Sequence, residues 1–385
     1  MKPGSSQNNS LSNSSLSNSF QKNDPLPLHG GDIVSASRQY DISIDQWIDL
    51  STGINPRHYP IEIDTSSFQQ LPYVRPEFIE ASKSYYQSSN FIPVTGTQAA
   101  IQHLPELLMD FPVLIPQIGY QEHANYWQHK GAAIHYYPSL EKQEQIDFID
   151  NTLSENPEQH LVVINPNNPT GVLLAKQKLL SWAQQLAPQA YLIIDEAFID
   201  TTVEQSVLDQ NLPDNIIVLR SFGKFFGLAG IRLGYCFANE NILSALQARL
   251  GLWQINGPAQ TLAIKALHDK AWQLQAKKDI KSNAKFMQAL CKPVMCHLNH
   301  HSQSEYHSCL FLSYRMPYLY AMTLREHFAR LGILLRVIEI DENINDKQAL
   351  LRIGLLDECN QTHVKRVFAA FNSAAQSFSD TNVSL

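Results

Sequence analysis

SFGKFFGLAGIRLGY, residues 221–235, sets a lysine on a short glycine-rich turn directly after the apolar run IIVLR. Arg232 follows Lys224 by eight residues, a separation suited to a shared anionic ligand. Gly223, Gly227 and Gly230 allow close approach of the backbone. A lone lysine on a loop is ordinarily a solvated one. In this setting the amine is instead positioned to form a Schiff base with a carbonyl compound, provided burial or nearby positive charge lowers its pKa.

Working outward, the apolar runs VLIP (113–116), LVVIN (161–165), YLIID (191–195) and IIVLRS (216–221) are short and rich in leucine or β-branched residues. Buried parallel strands have that composition. Longer stretches between them, such as AKQKLLSWAQQLA (175–187), repeat apolar positions at helical spacing. The alternation predicts an α/β layer with a mostly parallel sheet. Three strands then hand polar residues to one edge: NPNNPTG after LVVIN, Asp195 closing YLIID, and Lys224 after IIVLRS. Open α/β sheets bind ligands at their carboxyl edge, so the site is expected there.

The chain has 385 residues, 44% hydrophobic and 17% charged, enough for a large core and two domains. We expect a large domain over 61–264 and a smaller α+β domain over 265–385, joined by the N-terminal segment 25–60. Net charge is -7, which argues against a nucleic-acid surface. No apolar run approaches the roughly 20 residues of a membrane helix. The five cysteines form no C-x-x-C pair, as suits a reducing compartment. Residues 1–24, rich in Ser and Asn, read as a disordered tail without the apolar centre of a signal peptide, so a cytoplasmic protein is expected. CHLNHH (296–301) matches no zinc spacing, and no metal is expected.

Other residues carry chemistry at the expected edge. Asp195 ends a strand that otherwise reads as fully buried, and a buried carboxylate needs a partner of opposite charge. A protonated pyridine nitrogen would serve, although a helix N-cap is the plainer reading. Asn168 lies in a proline-rich turn, where its amide is available to a phenolate oxygen. VTGTQAAIQHL (94–104) reads as a tight turn opening a helix, and Gly96, Thr97 and Gln98 there form a candidate phosphate cradle. Tyr120 offers a flat face to an aromatic ring.

Together these residues resemble the pyridoxal-phosphate enzymes of the aspartate-aminotransferase fold, over nearly the whole chain from residue 28. The resemblance implies pyridoxal 5'-phosphate as cofactor, bonded by Lys224, with Asp195 at the pyridine nitrogen and Asn168 at the ring oxygen. It implies Ser221, Arg232, Gly96, Thr97 and Gln98 at the cofactor phosphate, Tyr120 on the ring face, and Arg352 at the substrate carboxylate. A homodimer with sites at the interface is implied as well. The chain departs from the family in three places. Phe198 stands where many relatives have a tyrosine that reaches the ring oxygen. Gly223 stands where they often have Ser or Thr, and Tyr73 is out of register for an aromatic reaching across subunits.

HGGDIVSASRQY (29–40) and WIDLSTGINP (47–56) look like the N-terminal signature of the L-threonine-O-3-phosphate decarboxylases. That resemblance implies a small phosphorylated amino acid as substrate, lined by His29, Gly30, Gly31, Ser51, Gly53 and Asn55. The expected reaction is decarboxylation in cobalamin biosynthesis, with transamination of a phosphorylated amine such as histidinol phosphate as the alternative. A non-catalytic protein on the same fold is disfavoured by the intact lysine and aspartate.

Overall fold

The computed structural model describes residues 29–62, 64–208, 212–297, 305–307, 310–340 and 347–380. The expected tail at 1–24 lies outside the described residues, as do the side chains of 296–301. Seven strands form the larger sheet: β1 Phe91–Val94, β2 Val113–Pro116, β3 Ile134–Tyr137, β4 His160–Ile164, β5 Leu192–Asp195, β6 Ile216–Ser221 and β7 Gly234–Phe237. Their order is β1-β7-β6-β5-β4-β2-β3. The sheet is parallel except for β7, which runs antiparallel to both of its neighbours.

The apolar runs are explained by burial on both faces. Leu192 and Ile194 of β5, with Ile216 and Val218 of β6, pack into one core; Ile193, Ile217 and Leu219 pack into the other. A period of two over a sheet covered on both sides leaves no position for a polar residue until the strand ends. The polar residues therefore collect at the edge. Because β7 runs backwards, its beginning reaches the edge where β4, β5 and β6 end, and that brings Arg232 and Gly234 alongside them.

A second sheet of β8 Glu305–His307, β9 Phe311–Pro317, β10 Arg336–Glu339 and β11 Gln348–Gly354 is antiparallel throughout, in the order β10-β11-β9-β8. The helices Lys270–His297, Tyr318–Arg330 and Gln361–Asp380 pack around it. The N-terminal segment joins this unit. Trp47 and Ala36 pack with Ala329 and Leu334, and Ile48–Asp49 pairs in parallel with Ile333–Leu334. The segment then crosses to the larger sheet, where the Asn55 N–H donates to Lys224 O (3.0 Å) and the Tyr59 N–H to Phe226 O (2.8 Å). No helix among the described residues is long and apolar enough to cross a membrane.

Candidate active site

β6 passes at Ser221 into a single helical turn, Phe222–Phe225, that carries Lys224. Asn55 clamps this turn: beyond its backbone contact, its Nδ2 donates to Phe225 O at 2.9 Å. The Lys224 ammonium makes no hydrogen bond or ion pair among the described residues and lies 5.6 Å from the centre of the Phe198 ring. Burial, and then the Arg352 guanidinium, lower its pKa to about 8 against the opposing pull of Asp195. A lysine tuned in this way is a usable nucleophile near neutral pH.

Asp195 closes β5 and is 3% exposed. Its Oδ1 accepts the Ala197 N–H at 3.0 Å, and its Oδ2 lies 3.1 Å from Nε2 of the equally buried His123. His123 was not legible as a site residue. It stands three residues after Tyr120, on the helix Glu122–Lys130, and only the packing of that helix on the sheet turns it to the aspartate. Asn168 follows β4, and its Oδ1 accepts Nη1 of Arg352, which leaves the amide N–H groups to donate elsewhere. Arg352 also donates to Ser51 O, while its buried Nε has no partner. Burial, and then Arg336, lower the Arg352 pKa to about 10 against Asp49.

The third group lies at β7. Val94 and Ser221 flank Gly234 in register from either side, and a Cβ on Gly234 would stand 2.8 Å from Thr97 N. Thr97 opens the helix Thr97–Leu107, whose first N–H groups have no partner within the helix. Gly96, at φ +72, has the Arg232 guanidinium where a side chain would be: a Cβ would meet Nη2 at 2.4 Å. Ser221, Thr97, Arg232 and bare backbone thus converge as an anion cradle. Gln98 is the exception. Its side chain turns away, accepting from the Tyr120 hydroxyl (2.9 Å) and donating to Glu122 (2.8 Å), so only its backbone belongs to the cradle. Glu122 continues the chain to His29 Nε2 at 3.0 Å. Burial, then Glu122 and Asp195, push the Tyr120 phenol up to about 12, so it stays a neutral donor.

Lys224, Asn168 and Arg352 share a cavity of about 190 Å³ with His29, Gly30 and Arg336. The expectation for the N-terminal residues is corrected in part. Gly53 and Thr52 reach the cavity, but Gly31, Ser51 and Asn55 support its wall: the Gly31 N–H donates to Ser51 Oγ (2.7 Å), Ser51 Oγ donates to Asp49 (2.6 Å), and the Asn55 amide is taken by Phe225 O. The signal was a run of small polar residues, and alternation along an extended segment turns only some of them inward. Arg336 was missed because a charged residue opening a short strand has no local mark of a site. A wider cavity of about 500 Å³, at the opposite sheet edge by Asn90 and Asp214, gathers none of the motif residues. Among the described residues no group of three or more His, Cys, Asp or Glu side chains is arranged to hold a metal.

Two departures from the family pattern have packing causes. A Cβ at Gly223 would stand 2.7 Å from Ala229 Cα, so the turn has no space for a hydroxyl side chain there. Phe198 packs edge-to-face on Phe311 at 5.3 Å, and both rings press on Gly53, where a Cβ would meet each at 2.8 Å.

An amine of lowered pKa, a buried carboxylate, an amide donor and an anion cradle on one sheet edge define an enzyme that binds a phosphorylated carbonyl cofactor. Residues 47–344 match the family model of aminotransferase class I and II. The chain is 34% identical to a threonine-phosphate decarboxylase of Pseudomonas aeruginosa over 90% of its own length and 98% of that protein. It is 26% identical to a histidinol-phosphate aminotransferase of Buchnera aphidicola over 61% of the chain and 66% of that protein. The fold matches the histidinol-phosphate aminotransferase of Sinorhizobium meliloti, solved with pyridoxal-5'-phosphate, at a TM-score of 0.70, with 18% identity over 90% of this chain and 95% of that one. The chain belongs to the class I and II aminotransferase family, and its cofactor is pyridoxal 5'-phosphate.

The residues fit that group. The cradle at Gly96, Thr97 and Arg232 suits its phosphate, the unpaired Lys224 amine suits its aldehyde, and the Asp195 carboxylate, beside His123 and a backbone N–H, suits a protonated ring nitrogen.

Proposed function

We propose that the chain decarboxylates L-threonine O-3-phosphate, releasing carbon dioxide and (R)-1-aminopropan-2-yl phosphate as a step of cobalamin biosynthesis. The observation that carries this reading is the 34% identity to a threonine-phosphate decarboxylase along almost all of that protein. The cavity supports it: Arg352 and Arg336 supply one guanidinium for a carboxylate and a second for a phosphate.

When bound, the cofactor supplies an electron sink for the pair left on the α-carbon as carbon dioxide departs. The protein's own groups do the rest. Asp195, oriented by His123, would hold a proton on the ring nitrogen. The Asn168 amide would donate to the ring oxygen, which matters more here because Phe198 has no hydroxyl to offer. Arg352, tied to Asn168 and Ser51 O, holds the substrate carboxylate and sets the rotation that decides which bond at the α-carbon breaks. With the cofactor bound, Lys224 would be the group that returns a proton to the α-carbon, a task that its lowered pKa suits.

We also propose a homodimer. Phe68, Leu71, Tyr73, Leu252 and Trp253 are exposed apolar side chains, and the neighbouring Gln254 O accepts from Thr95 beside the cradle. Sedimentation of the purified protein at micromolar concentration should give twice the chain mass; a monomer would overturn the pairing. The deciding experiment for function supplies O-phospho-L-threonine without any keto acid and measures carbon dioxide. Release from the phosphorylated substrate, and far less from threonine, is expected, since remote binding energy orients the reacting bond. Amine transfer from histidinol phosphate to 2-oxoglutarate, with no carbon dioxide from O-phospho-L-threonine, would sink the reading and leave family and cofactor intact.

A further inference from the structure

Two cations of the site are held by one short segment. Ser51 O accepts from Arg352, and Asn55 holds the turn of Lys224 through its backbone N–H (3.0 Å to Lys224 O) and its amide (2.9 Å to Phe225 O). Between them the segment lies against the end of β11. The Gly354 N–H donates to Leu50 O at 2.6 Å, and a Cβ at Gly354 would collide with Thr52 O. Past Asn55 it covers the lysine turn again: a Cβ at Gly227 would meet His58 Cα at 2.7 Å and Asn55 O at 2.8 Å. Residues 51–59 are a strap that joins the second sheet to the reactive turn of the first.

Arg57 fastens this strap, and no step of the proposed chemistry uses it. Its Nη1 donates to Asp279 Oδ2 on the helix Lys270–His297 and its Nη2 to Asp357 Oδ1, each at 2.7 Å. Asp357 follows Arg352 by five residues, where the chain leaves β11. The two carboxylates come from separate elements, and a planar fork reaches both. Asn55 Oδ1 accepts the Arg57 N–H at 3.1 Å, so the place of the guanidinium is passed to the amide that clamps the lysine turn. The hydrogen bond from Asp357 raises the Arg57 pKa, burial opposes it, and the charges of Asp357 and Asp279 add to the rise. The side chain is 36% exposed, and ion pairs so near water contribute little to stability. What they fix is position.

We infer that Arg57 is a positioning residue that sets the separation of Lys224 from Arg352 by fastening the strap between them. The amine is sensitive to that separation. After burial, Arg352 does most to lower the Lys224 pKa; Arg232 acts in the same sense, and Asp195 and Asp49 oppose them. A loosened strap admits water to the turn and lets the two cations part, and both changes raise the pKa. The inference rests on Lys224 as the cofactor lysine, a part of the proposed function, and not on the choice of substrate.

The test reads the amine directly. Cofactor-free protein is mixed with pyridoxal 5'-phosphate across a pH series, and the rate at which the lysine adduct forms is followed by absorbance. Borohydride must first fix the wild-type adduct on Lys224; an adduct elsewhere sinks the lysine assignment, and the inference with it. The wild-type midpoint should fall near pH 8. Arg57→Met is expected to raise it by about one pH unit or more, and Arg57→Lys, which reaches only one carboxylate, by less. In the holoenzyme kcat should fall about tenfold with Arg57→Met, because amine and substrate carboxylate are no longer held in one geometry. An unmoved midpoint or an unchanged kcat, with only the melting temperature lowered, would show a purely structural arginine and overturn the inference. Asp279→Asn guards against misfolding of Arg57→Met, since it cuts one arm of the fork and leaves the pair with Asp357. The two variants change charge in opposite senses. An effect through space would raise the midpoint with Arg57→Met and lower it with Asp279→Asn, whereas a loosened strap raises it with both. A midpoint that Asp279→Asn lowers or leaves in place therefore overturns the inference.

Discussion

Two buried cations stand four residues apart at the end of β6, and their surroundings treat them in opposite ways. Arg220, 2% exposed, faces Asp200 at 2.5 Å and Glu196 at 3.5 Å and lies 4.9 Å from the centre of the Tyr86 ring. Burial works against its charge, but Asp200 and then Glu196 outweigh it, and its pKa is raised above the ordinary value. The network closes further: Tyr85 donates to Asp200, while Ser206 Oγ and the Val207 N–H donate to Glu196. Lys224 has no such company. Burial, and then Arg352, lower its pKa to about 8, and the opposing pull of Asp195 does not offset them. A compensated cation makes a fixed frame, and an uncompensated one makes a reactive amine. The frame serves the amine, because Glu196 and Asp200 belong to the segment that begins at Asp195.

The comparison breaks most visibly at the lysine. Lys224→Ala should abolish turnover and leave no lysine adduct that borohydride can fix to the cofactor; a retained adduct would move the reactive amine elsewhere. Arg220→Met should act on stability first. It leaves two buried carboxylates without their cation, a loss of about 3–5 kcal/mol that urea unfolding would read. Adding Glu196→Gln should return part of that loss, because burial already raises the Glu196 pKa and one fewer acid is stranded. A loss below about 1 kcal/mol would mean that the network is not a frame.

The smallest expected effect is a pH dependence of the cofactor-free protein. The folded pKa of Lys224 lies near 8, below its ordinary 10.5, so between those values the unfolded chain binds more protons. The penalty for burying the charge is full below about pH 8 and is relieved as pH rises toward 10.5. Lys224→Met should therefore be more stable than wild type by a margin that is largest near neutral pH and shrinks through this window. A margin constant from pH 7 to 10 would contradict the uncompensated cation.

The residues carried by local pattern were legible: Lys224, Asp195 and Asn168 each follow a buried strand, and Arg232 follows Lys224 at fixed spacing. The contacts that finish the site were not. His123 meets Asp195 across 72 residues, Glu122 meets His29 across 93, and Arg352 meets Asn168 across 184. Gln98 was expected at the phosphate through the helix start, and what the sequence did not show is that its side chain bonds Tyr120 and Glu122.

Short uninterrupted apolar runs, each ending where polar residues emerge, determined from sequence alone that this chain builds a doubly covered sheet, and they pointed to one edge for its chemistry. Burial on both faces excludes polar side chains from every position but the strand ends, so a one-dimensional pattern contains that much. Which cations are paired and which are left bare was decided only by the tertiary structure. Charge compensation depends on distances between elements that the chain order does not encode. Arg220 and Arg336 look alike in the sequence, and only their surroundings separate a frame from a site.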